Sequence, residues 1–167
     1  AHLVDDWYFC TGVITSLSGG WLDGPKQWIA RREIHRRFDA DTETYGHADP
    51  RVAAVVAAAP AAAAFDLDTL ARPVVPLGLV ILGRDRWLVP RFHGEAVLAA
   101  CAACERVAEV PSAGHGAMLS PLPPGLRGVL GDMLNDPPGF DRAGSMPDVD
   151  RRIADFFERH LVRAVAR

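Results

Sequence analysis

A chain of 167 residues is the size of one domain, and its 49 % hydrophobic content supplies a packed core, which excludes a disordered polymer. A net charge of −3, from 18 basic and 21 acidic residues, excludes the basic surface of a general nucleic-acid binder and the strong field that steers a charged partner. No apolar run reaches the roughly eighteen residues of a membrane-spanning helix. Pro60 interrupts the longest one, and Ala1–Asp6 lack the basic start and apolar stretch of a signal peptide.

Residues 1–48 read as an irregular, aromatic-rich segment, linking or cap-like, that holds Trp7, Tyr8, Phe9, Trp21 and Trp28. Gly19-Gly20 and Asp23-Gly24-Pro25 are turn sequences. Gln27–Phe38 is predicted to be a helix, and its charges (Arg31, Arg32, Glu33, Arg36 and Arg37) read as a solvated face.

Residues 49–167 alternate strands with helices. Asp49–Pro60 is a turn followed by a continuous apolar run, as expected of a parallel strand covered on both faces. Asp66–Ala71 is a short helix with Asp66 or Asp68 near its start. Gly78–Gly83 is a second buried strand, and Trp87–Pro90 a loop after it. Glu95–Ala108 is predicted as a helix from its alanine content, with Glu105–Val110 a third short strand overlapping its end. On that helix Cys101 and Cys104 read as small apolar residues rather than as a redox pair or half of a zinc site. Leu126–Leu134 is a brief helix. Val149–Val165 is a longer one, with Asp148 as N-cap and Ile153, Phe156, Phe157, His160, Leu161 and Val165 on one face. The order implies a parallel sheet of about three strands with flanking helices, an α/β fold.

Two strand ends carry polar residues suited to chemistry. Leu79-Val-Ile-Leu-Gly-Arg-Asp85 ends in a carboxylate, and Val110-Pro-Ser-Ala-Gly-His115 ends in an imidazole between two glycines. An imidazole can take a proton from a nucleophile and pass it to a leaving group, while a carboxylate holds it in the right tautomer. In parallel α/β sheets such residues gather at the carboxyl ends of the strands. The remaining histidines, His2, His35, His47, His93 and His160, show no metal-ligand spacing, and His160 reads as a boundary or surface residue.

From about Asp49 to Leu161 the chain resembles the later half of the α/β-hydrolase superfamily, and within it the predicted dienelactone-hydrolase group. The likeness rests on Asp49–Pro60, the Gly-x-Asp turn, the Ala-Gly-His turn, Asp136-Pro-Pro-Gly-Phe-Asp141 and Phe156-Phe157-x-x-His160-Leu161. It departs from the family pattern at the acid. Members usually carry Gly-x-x-Asp-x-x-Val-Pro, whereas in Gly83-Arg-Asp85-Arg86-Trp-Leu-Val-Pro90 the usual acid position holds Arg86 and Asp85 stands one residue early.

The resemblance implies an ester-type hydrolase, with His115 as general base, Asp85 as its orienting acid, a small ester-like substrate, and no metal or organic cofactor. No Gly-x-Ser-x-Gly elbow is present. Ser16-Leu-Ser18-Gly-Gly20 is the nearest approximation and reads as a Ser/Gly loop. The nucleophile is therefore expected from a segment ahead of these residues or from a companion chain. The alternative is a non-catalytic module of the same fold that associates with itself or with a companion through the sheet edge left open.

Overall fold

Leu77–Leu82 forms the central strand, and its alternating side chains decide where everything else packs. The computed structural model describes residues 21, 23–38, 46, 49–62, 65–119 and 134–162. In chain order the elements are α1 (Asp23–Phe38), β1 (Val55–Ala58), α2 (Leu67–Leu70), β2 (Leu77–Leu82), α3 (Gly94–Ala100), β3 (Glu105–Val110) and α4 (Arg142–Phe157). The three strands make one parallel sheet in the order β1-β2-β3, so the α/β class expected from the strand–helix alternation is observed. No helix among the described residues is long and apolar enough to cross a membrane.

Leu79 and Ile81 of β2 point to one face, where they pack with Ala62 and Val97 against the leucines of α2 and α3. Val80 and Leu82 point to the other, where they meet Val107, Val110, Val149 and the fully buried Phe156 of α4. A strand buried on both sides must be apolar at every position, which is why this run lacks alternation. At β3 the register slips. Leu79 pairs with Arg106 but Val80 with Ala108, leaving Val107 as an extra residue. The bulge lets Arg106 and Glu109, three apart, form an ion pair.

Several predicted boundaries are corrected. The helix expected over Glu95–Ala108 stops at Ala100, and Cys101 takes an extended conformation. Burial of Val107 and Val110 beside β2 outweighs the local helix preference of the alanines. Cys101 and Cys104 therefore leave the helix and are joined by a disulfide across the α3–β3 turn, with Cα atoms 5.4 Å apart.

The last helix begins at Arg142 rather than Val149. Asp141 is its N-cap, accepting from the Gly144 amide, while Asp148 lies within the helix and pairs with Arg151 and Arg152. Pro147 does not end the helix; it forgoes one backbone bond. After Phe157 the backbone widens into a π turn, Glu158–Val162. There His160, read as a boundary or surface residue, lies against Phe156 with the ring planes tilted by 51° and bonds Glu105 at the start of β3. α1 starts earlier than expected, at Asp23, because Pro25 falls in the first turn, where its missing N–H has no helical acceptor. Ser18, the bulk of Leu126–Leu134 and Val165 lie outside the described residues.

Candidate active site

The carboxyl ends of β2 and β3 are laced together by backbone bonds. The Gly83 amide donates to Val110 O at 3.0 Å and the Arg84 amide to Ala113 O at 2.9 Å. Gly83 allows this contact, since a Cβ there would lie 2.6 Å from Pro111 O. The loop leaving β2 is thus fixed directly beside the loop leaving β3.

Asp85 turns inward from the first loop. Its side chain is 1 % exposed, and Oδ1 accepts from the amides of Trp87 and Leu88, both at 2.8 Å. Oδ2 lies 2.8 Å from Nδ1 of His115. The buried carboxylate is therefore met by three donors, which offsets the cost of removing it from water. Two sequence expectations meet here: Asp85 and His115 are brought together despite the early position of the aspartate. Asp85 is buried rather than at the surface.

His115 opens a 3-10 turn, His115–Met118, and its side chain is 22 % exposed. A carboxylate only accepts, so Nδ1 carries the proton of this bond and Nε2 is the nitrogen left for proton transfer. Gly116 follows because the chain is crowded: an added Cβ would lie 2.6 Å from Leu134 Cα.

The surroundings are apolar and partly strained. Ala59, at the end of β1, has φ of +45°, a conformation that costs a residue with a side chain about 1–2 kcal/mol. With Pro60, Leu88 and Pro90 it lines a small cavity beside Asp85. His93 is fully buried nearby. Burial pushes its imidazole below the ordinary range, while the charge of Asp85 pulls the other way. Among the described residues no cluster of three or more His, Cys, Asp or Glu side chains could hold a metal ion.

Two contributors to the site were not selected from the sequence. Arg142 and Asp136 hold the turn that carries His115; Asp136 stands in the family-like run Asp136–Asp141 but without a role assigned there, and nothing in the local sequence separates Arg142 from a surface charge. The fold and the site define a parallel α/β domain in which a buried carboxylate meets a partly exposed imidazole where two adjacent strands end. No family model matches the chain, and no curated protein or solved structure matches it.

Proposed function

We propose that this chain is the acid- and base-bearing part of an ester-type hydrolase of the α/β-hydrolase class. The observation that carries the reading is the 2.8 Å contact between Asp85 and His115 at the ends of adjacent parallel strands. In this reading Nε2 of His115 takes the proton of an attacking hydroxyl and returns it to the leaving alcohol. Asp85 keeps Nδ1 protonated and stabilises the imidazolium that forms in between. The nucleophile and the donors for the developing oxyanion come from a preceding segment or a companion chain. The substrate is a small ester.

The test is turnover of a short p-nitrophenyl ester, together with fluorophosphonate labelling, by the folded chain alone and by the chain supplied with a nucleophile-bearing segment. Turnover is expected only in the second case, with His115→Ala lowering it by about 10³-fold or more. Turnover unaffected by His115→Ala rejects the base role, and labelling of Ser18 in the isolated chain relocates the nucleophile.

A second reading, a non-catalytic module that works by association, is favoured by β1, which among the described residues pairs on one side only. It predicts a concentration-dependent dimer or complex by light scattering in a protein that never turns over an ester.

A further inference from the structure

The turn that carries His115 is held from outside. Besides the bonding inside the 3-10 turn itself, two backbone bonds bracket it, from Ala117 N to Gly114 O and from Leu119 N to Gly116 O. Three of its carbonyls converge on a single nitrogen, Nη1 of Arg142. Gly116 O lies at 2.9 Å, Ala117 O at 2.7 Å, and Leu119 O is the third acceptor. One NH2 group has two protons, so at least one is shared between carbonyls. The opposite edge of the guanidinium makes a paired contact with Asp136, at 3.0 Å from Nε and 2.6 Å from Nη2. Arg142 is also the first residue of α4, whose Val149 and Phe156 are buried in the core under the sheet.

We propose that Arg142 is the positioning residue of the Asp85–His115 pair. Its planar fork, oriented by Asp136 and anchored by α4, gathers the carbonyls of the turn and sets the height and tilt at which the imidazole meets Asp85. A guanidinium suits this role because it stays charged at every working pH and offers donors in a fixed plane. The catalytic meaning of the clamp rests on the hydrolase reading above; its geometry does not.

Histidine-¹⁵N-labelled full chain provides the test, read by the low-field Nδ1–H resonance of His115, which reports the bond to Asp85 without any need for turnover. In Arg142→Gln, shown to be folded by circular dichroism, the resonance is expected to be lost to solvent exchange. Arg142→Lys, which keeps a cation but not the fork, is expected to restore it in part. In protein supplied with a nucleophile, Arg142→Gln is expected to lower kcat by about 10²-fold with KM unchanged.

A resonance that persists unaltered in folded Arg142→Gln overturns the proposal. Should that variant not fold, Asp136→Asn is read in the same way, with persistence overturning and loss supporting; failure of both to fold makes the residue a structural one and also overturns it. Loss of the resonance in Arg142→Gln alongside unchanged turnover in His115→Ala leaves the clamp standing and removes the hydrolase reading. Absence of the resonance from the unaltered chain rejects both.

Discussion

Asp85 and His115 stand 30 residues apart in sequence and 2.8 Å apart in space, and the carboxylate between them serves two backbone amides as well. Truncating it strands three donors around a buried site. Asp85→Ala is expected to cost about 2–4 kcal/mol in urea unfolding, more than His115→Ala, whose ring is partly exposed. A double-mutant cycle on the pair should return a coupling of about 0.5–3 kcal/mol. Strict additivity would show that the contact contributes nothing to stability.

Gly116 is set by crowding rather than by backbone conformation. Gly116→Ala places a methyl 2.6 Å from Leu134 Cα, where only backbone can yield. The expected loss is about 1–3 kcal/mol. Gly24→Ala, in the first turn of α1 with nothing within 4 Å, is the control and should be neutral or mildly stabilising. Equal effects at the two glycines would contradict the packing described.

Phe156 is fully buried beneath Val80 and Leu82 and makes an edge contact with Phe157, the ring centroids lying 5.6 Å apart. Phe156→Ala should destabilise by about 3–5 kcal/mol, visible as a shift of the urea midpoint. A loss below about 1 kcal/mol would mean that α4 does not close the core.

The tie between β3 and the end of the last helix should give the protein an acid-side weakness. Burial pushes the Glu105 carboxyl up, but hydrogen bonds from His160 and Arg159 and their charges outweigh it and hold the group below its ordinary 4.5. A carboxyl depressed in the folded state stabilises above the unfolded value and loses that stabilisation as pH falls through the folded value. Melting temperature is therefore expected to drop as pH is lowered below about 4.5, and to drop less in Glu105→Gln. Identical acid limbs for the two proteins would dismiss the tie.

His93 acts in the same direction from a different cause. It is buried and its imidazole is depressed below 6.5, so the unfolded chain binds its proton more readily. Stability is fully present above that value and declines as pH falls below it.

The central strand was legible from sequence because a run buried on both faces must be apolar throughout, whatever surrounds it. The polar ends of β2 and β3 were legible for a related reason: a small-residue turn after a strand has room to present one functional side chain. The amino-acid sequence by itself thus determined the parallel α/β class and offered Asp85 and His115 as candidates for the pair.

It did not determine where α3 and α4 begin and end. Alanine-rich Glu95–Ala108 favours helix locally, and the burial of Val107 and Val110 that overrides it exists only once β2 is beside them. Nor did it determine that Asp85, one residue off the expected position, reaches the imidazole. That depends on how the two loops are laced together through Gly83, Arg84, Val110 and Ala113. Arg142 is the extreme case. In sequence it is one charge among many, and only the docking of α4 under the sheet carries its guanidinium to three carbonyls of the histidine turn. Hydrophobic pattern and turn chemistry are local and are written along the chain. Convergence of distant polar groups depends on packing, which the tertiary structure alone decides.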